Sequence, residues 1–287
     1  MPGKARSVPA VRVLLTGLAM GESPRWHQGR LWFADWGAQE TVALDPRGKS
    51  EVVLRVPFGL PFSIDWLPDG RLLVISGREG LLMRQEADKT LAVHADLRGV
   101  SSLWNEIVVD GRGNAYVNGG SQVMTGGLGI IVLLAANGSV RKVADGIAFP
   151  NGMAVTPDNS TLIIAESYGK RLTAFDIARD GSLSNRRVWA DLAGGVPDGI
   201  CIDAENAVWY ADVPNQCCVR VREGGKVLQK IQVDRGCFAC MLGGSDKKTL
   251  FIIAAQWQGM DKMAEVAKAR TGQVLTVKAP ARHAGWP

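Results

Sequence analysis

The sequence predicts an all-β fold, a six-bladed β-propeller with four-stranded blades around a central channel. Three observations carry this expectation. Six segments resemble one another, each running from a small polar cluster through an apolar stretch, a Gly- or Asp-containing turn and a second apolar stretch. One anchor residue per segment, at Glu22, Ser63, Asn105, Asn151, Asp198 and Ala239, gives gaps of 41, 42, 46, 47 and 41 residues. A period of about 40–50 residues made of short strands is that of a propeller blade. Finally, 34 Gly and 13 Pro without collagen-like periodicity imply many tight turns joining many short strands.

The elements follow in order. The segments begin at Gly21-Glu22-Ser23-Pro24, Phe62-Ser63-Ile64-Asp65, Trp104-Asn105-Glu106-Ile107, Pro150-Asn151-Gly152-Met153, Pro197-Asp198-Gly199-Ile200 and Phe238-Ala239-Cys240-Met241. Hairpin turns are expected at residues such as His27-Gln28-Gly29-Arg30 and Pro68-Asp69-Gly70-Arg71, where the residue types suit tight connections. Apolar strands such as Leu31–Ala34, Leu72–Ile75 and Leu162–Ala165 come next. A helical period shows only weakly, in Met260–Ala269. A two-sheet sandwich with duplicated halves accounts less well for six even repeats. Ring closure is expected to pair Val11–Leu15 with Gln273–Val277, since each would otherwise be an orphaned edge. Residues 1–287 then form one domain. Met1–Ser7 and Ala279–Pro287 read as linker-like surface ends.

Composition narrows the function classes. Hydrophobic residues make up 46% and charged residues 21%, a balance suited to a soluble globular chain. The net charge of +5 comes from interspersed residues, so no nucleic-acid footprint is expected. No apolar run approaches the length of a membrane span, and Val13–Met20 is too short for a signal peptide. The five cysteines are an odd number, which points to reduced thiols and a cytoplasmic location. Cys237 and Cys240 have the spacing of half a zinc site. With no second pair or histidine nearby in the sequence, they read as buried structural thiols.

Equivalent positions of propeller blades converge on the axis. If each inner strand starts at its anchor, Glu22, Asn105, Asn151 and Asp198 line one mouth of the channel. Asp and Asn are common at turns for local backbone reasons. Four oxygen-bearing residues in matching phase go beyond that, and they suit a hard divalent cation. A cation would also remove the repulsion between two close carboxylates.

Four segments resemble the family of senescence marker protein (regucalcin), gluconolactonases and luciferin-regenerating enzymes. They are Gly21-Glu22-Ser23-Pro24-Arg25-Trp26, Pro150-Asn151-Gly152-Met153-Ala154, Leu183-Ser184-Asn185-Arg186-Arg187 and Pro197-Asp198-Gly199-Ile200-Cys201-Ile202-Asp203, in family order and spacing. The resemblance covers residues 13–280. It implies a six-bladed propeller and a lactone hydrolase. It also implies one divalent metal held by Glu22, Asn151 and Asp198, with Asn105 beside it at the substrate. Calcium or zinc is the implied ion, with magnesium, manganese or iron as other candidates.

One departure bears on substrate. Sugar-lactone members carry Arg-x-Asn-Asp where this chain has Leu103-Trp104-Asn105-Glu106. The Arg that helps hold a polar substrate is replaced by Leu103, which leans toward a less polar lactone contacted by Leu103, Trp104 and Asn105. Trp36, Trp66 and Trp104 are candidates to share the mouth. The expected mechanism uses metal-polarised carbonyl and metal-activated water, with Asp198 as both ligand and general base. Asn105 donates a hydrogen bond to the substrate or oxyanion. No nucleophilic triad is visible around His27, His94 or His283, and there is no Gly-x-Ser-x-Gly elbow. The expected partner is a small-molecule lactone, with no nucleic acid or membrane. The competing readings are a non-enzymatic calcium-binding regulatory propeller and a strictosidine-synthase-like condensing enzyme without the metal ring.

Overall fold

The alternating apolar stretches fold as six four-stranded antiparallel sheets arranged as a six-bladed propeller, in a computed structural model that describes residues 10–287. Five blades are consecutive in sequence. Their inner strands are Gly21–His27, Phe62–Trp66, Trp104–Val109, Pro150–Val155 and Pro197–Ile202. The sixth blade has Gly236–Gly243 innermost and is closed by Arg12–Leu18, which pairs with Gly272–Lys278. The closure expected between the two ends is therefore present. Joining them removes two orphan edges and locks the ring. Met1–Ser7 lies outside the described residues.

Each chain reversal has a local cause. In the first hairpin, Gln28 and Gly29 both take positive φ (48° and 76°), the twist that a two-residue hairpin requires. On the face where inner strands begin, called upper here, acidic residues clasp the incoming chain. Asp35 accepts from the Ala19 and Met20 amides, Glu166 from Ala148, and Asp212 from Val196. These bonds satisfy amides that no strand pairs and fix where the next inner strand starts.

Sheet faces pack blade against blade in five buried clusters, so the core is distributed round the ring. The helical signal at Met260–Ala269 becomes a 3₁₀ turn at Met260–Lys262 and a short helix, Met263–Ala269. This insertion sits on the upper face of blade six. The tail Ala279–Pro287 differs from a loose surface end. It runs across the lower face, where Ala284 donates to the Ile202 carbonyl and Trp286 exchanges two bonds with Val155. Ala279 and Ala281 are buried there. The lower ends of the inner strands leave backbone groups free, and the tail satisfies them.

Inner strands approach one another so closely that two positions exclude any side chain. A Cβ on Gly152 would lie 2.6 Å from both the Asp198 carbonyl oxygen and the Ile200 nitrogen, and one on Gly199 would lie 2.6 Å from Ala239 Cβ. These alignments place Gly152, Gly199 and Ala239 in one phase, so blade six carries Phe238 at the level of Asn151 and Asp198, one residue before the anchor read from sequence. Overpacking costs about 1–3 kcal/mol, and here the obstacle is backbone that cannot swing aside. Gly152→Ala is expected to lower unfolding free energy by at least that amount in urea titrations. An unchanged midpoint would mean that blades four and five are not in this close contact.

Candidate functional site

The candidate residues sit where the inner strands are irregular. In five of the six inner strands the pairing register shifts: between Glu22 and Arg25, Trp104 and Ile107, Pro150 and Met153, Pro197 and Ile200, and Cys237 and Ala239. Glu22, Asn105, Asn151 and Asp198 all lie in or at the edge of such a bulge. The inner strand of blade two pairs continuously, and its anchor is Ser63. A bulge frees backbone from the ladder and re-aims side chains, which here turns polar groups toward the axis.

Hydrogen bonds from side chain to backbone then fix these residues between blades. The Asn105 amide donates to the Pro150 carbonyl (3.2 Å), and Asn118 donates to the Asn151 carbonyl (2.6 Å). Asn151 Nδ2 donates to Ser167 Oγ (3.3 Å), which in turn donates to the Pro197 carbonyl (2.7 Å). None of these bonds uses Asn151 Oδ1, which leaves that oxygen available as a ligand. Neither Asn118 nor Ser167 stood out in the sequence, because each belongs to the second strand or its turn and meets the site only through the fold.

The electrostatics are those of acids short of a cation. Burial pushes the Glu22 carboxyl well above the usual range, and repulsion from Asp198 and Glu106 pushes it further. Burial likewise raises Asp198 well above its ordinary value, reinforced by Glu106 and opposed by the Asn151 amide. Glu106 is a third acid that the sequence reading did not single out. Its carboxylate accepts from Ser23 Oγ (3.1 Å) and from Arg25 (3.1 Å). Arg25 also faces Asp65 at 3.5 Å, so this buried cation is shared by two acids beneath the mouth. Four acids and one arginine therefore occupy the axis. A divalent ion among Glu22, Asp198 and Asn151 suits this deficit and this all-oxygen donor set. Among the described residues, no three His, Cys, Asp or Glu side chains form a group able to hold a metal. The candidate set falls outside that description, since it has two acids only and takes its third donor from an amide.

Other residues separate from the mouth. Trp104 is fully buried between blades two and three, with its indole N–H unpartnered, so its ring forms no part of the mouth surface. Its strand begins at the mouth, but the bulge directs Asn105 and Glu106 inward and leaves Trp104 in the inter-blade core. Leu103, just before it, is half-buried on the upper face. Trp66 ends a five-residue inner strand, about 13 Å below the mouth at ~3.3 Å per residue. There it stacks on His27 with ring centroids 4.2 Å apart. Trp36 is on the upper face and donates to the Phe62 carbonyl (2.5 Å). It borders a cavity of about 500 Å³ with Leu60 and the helix residues Ala264 and Ala267.

The Ser184-Asn185-Arg186-Arg187 stretch is a clamp between blades. Arg186 crosses to the carbonyls of Asp145 and Gly146 and pairs with the fully buried Glu166. All five cysteines are free and buried. The fold brings Cys201 and Cys218 into hydrogen-bonding reach of Cys240, and Cys218 also reaches Cys237, neighbours that sequence spacing could not reveal. Burial holds the Cys201 and Cys218 thiols well above the usual thiol range, as suits inert packing groups.

Glu22 yields a pH expectation for metal-free protein. A carboxyl whose pKa is raised by folding binds its proton more tightly in the native state. Its contribution is therefore lost as pH rises from the unfolded carboxylate range toward the raised native value. Metal-free Glu22→Gln is expected to melt above metal-free wild type at pH 7. The gap is expected to grow with pH and to reverse when a bound divalent ion stabilises wild type alone. Thermal melts with and without chelator check this, and a pH-independent gap would contradict it.

Residues 20–256 match the model of the SMP-30/Gluconolactonase/LRE-like region. The chain is 28% identical to regucalcin of Xenopus laevis over 274 residues, covering 90% of each chain. It is 24% identical to a pentonolactonase of Haloferax volcanii, covering 86% of each. A solved luciferin-regenerating enzyme superposes with a TM-score of 0.82 at 21% identity, covering 96% of this chain and 98% of that one. Among the described residues, no helix is long and apolar enough to cross a membrane. With its six closed blades and a family match spanning most of its length, the chain belongs to the SMP-30/gluconolactonase/LRE-like family.

Proposed function

We propose that this protein is a metal-dependent lactone hydrolase, with Glu22, Asn151 and Asp198 holding one divalent ion at the upper mouth. The observation that carries the proposal is the pair of buried acids, Glu22 and Asp198, both raised by burial and by neighbouring acids, beside an amide with a free oxygen. Family membership supports the reaction class, as does the likeness to the Haloferax pentonolactonase. The donors are all oxygen, which favours calcium over zinc, whose usual protein ligands are nitrogen and sulfur. When bound, such an ion supplies Lewis-acid polarisation of a carbonyl and acidification of water.

The side chains divide the remaining work. Asp198 takes the proton of the water that attacks the lactone carbonyl carbon. The ring C–O bond then breaks, the proton passes to the departing alkoxide, and a hydroxy acid leaves. Asn105 keeps one amide N–H on Pro150, which orients the group and leaves the second N–H for a substrate oxygen. Arg25 holds Glu106 and Asp65 so that these acids do not compete for the same ion.

Asp198→Asn retains shape and one ligand oxygen but loses the base. At saturating metal, its kcat is expected to fall by about 10²–10⁴-fold. Asn105→Ala is expected to retain metal and lose turnover or substrate affinity. A folded, metal-loaded Asp198→Asn protein with more than a tenth of wild-type kcat sinks the mechanism. Retained metal with no turnover on any lactone favours instead a non-enzymatic metal-binding propeller.

Leu103 in place of a cation favours apolar lactones over sugar lactones. Steady-state kinetics are expected to give a higher kcat/KM for dihydrocoumarin or simple γ-lactones than for gluconolactone. The reverse order across the whole panel refutes this preference.

A further inference from the structure

Among the described residues, most of the large apolar side chains exposed at the surface fall into two sets, with Val11 and Val100 outside both. Val13, Val52, Val93, Val140, Val188 and Val227 are valines on outermost strands, one per blade, as a pleated edge tolerates. The large exposed residues other than valine, Met124, Leu128, Tyr168 and Met260, all lie on the upper face. Two of these adjoin the candidate site. Tyr168 is 56% exposed and Leu128 is 63% exposed. Tyr168 packs on Phe149 with ring centroids 4.5 Å apart and planes tilted by 34°.

Backbone contacts join this group to the candidate metal ligands. Tyr168 donates its amide to Ala148, and Leu128 pairs with Ala148 across the sheet. Ser167, the neighbour of Tyr168, donates its amide to Phe149 and accepts from Asn151. Phe149 lies two residues before Asn151 at φ 57°, the one aromatic residue with positive φ among the described residues. A bulky side chain is disfavoured in that region, so the surrounding contacts hold its ring in place against local preference.

We propose that Phe149, Tyr168 and Leu128 form a specificity surface that receives the apolar substituent of the substrate, and that this substituent is an aryl group or short alkyl chain on the lactone ring. Aromatic faces recognise such groups by offset or tilted stacking. The inference rests on the lactonase reading, and it adds which part of the ligand is recognised and by which residues.

Two pairs of probes test it. Kinetics compare γ-phenyl-γ-butyrolactone with γ-butyrolactone. Calorimetry compares the corresponding lactams, 5-phenylpyrrolidin-2-one and pyrrolidin-2-one, which resist hydrolysis. Wild type is expected to favour the phenyl compound in both. Tyr168→Ala is expected to reduce that discrimination about tenfold, and Tyr168→Phe to preserve it. Phe149→Gly removes the second ring while accepting the positive φ, so it is expected to fold and to reduce discrimination as well. If Tyr168→Ala leaves both ratios within twofold of wild type, or if wild type does not discriminate at all, the surface is overturned. If neither lactone is hydrolysed but lactam discrimination still falls in Tyr168→Ala, the hydrolase reading fails and the aryl-binding surface stands.

Discussion

The structure depends on one constraint: six inner strands must crowd round an axis with only one sheet edge of each satisfied by its own blade. The other edge presents free backbone N–H and C=O groups toward its neighbours. Side chains meet this need across successive blades. Ser23 exchanges bonds with Ile64, Ser63 donates to Asn105, Asn105 to Pro150, Ser167 to Pro197 and the Cys240 thiol to Gly199. Crowding also explains Gly152 and Gly199, where backbone from the next blade occupies the place of a side chain. The polar residues at the mouth thus have a structural duty before any chemical one.

That double duty shapes the site. A strand that bulges to let its neighbour approach also releases the side chain at the bulge from the sheet's in-and-out alternation. Glu22, Asn151 and Asp198 are presented to the axis by the same irregularity that lets the blades close. The arrangement is costly without a cation, because buried carboxylates repel and neither can shed its charge into water. Arg25 offsets part of the burden one layer down, against Glu106 and Asp65, while among the described residues Glu22 and Asp198 have no paired cation.

Much of the fold was legible because its period is local. Four strands and their turns repeat within about 45 residues, and hairpin chemistry such as Gln28-Gly29 is written in adjacent residues. The anchors Glu22, Asn105, Asn151 and Asp198 were legible for the same reason, as members of one phase. Residues that depend on the meeting of blades were not. Glu106 sits beside Asn105, yet its partners Ser23 and Arg25 are more than 80 positions away. Cys201 and Cys218 reach the Cys237–Cys240 pair only through the packing of blades five and six. Trp66 and Trp104 lie close in sequence to the anchors, yet their rings contribute no surface to the mouth. A strand crosses the whole height of a blade in five residues, and alternate side chains point into different blade interfaces.

The tail and the upper loops show how the two faces of the ring diverge. On the lower face, residues 279–287 cover the ends of the inner strands of blades four and five, and Trp286 lies against Gly111 of blade three. Backbone groups there are satisfied by more backbone, which leaves few side chains free for chemistry. On the upper face three inner strands are entered through acid clasps and five of the six bulge, so polar side chains replace backbone as partners there. Exposed aromatic and aliphatic groups gather on that face as well, beside acids that lack a counter-ion. A ligand with a polar reacting centre and an apolar substituent matches that juxtaposition. A purely polar ligand would leave Tyr168 and Leu128 facing water.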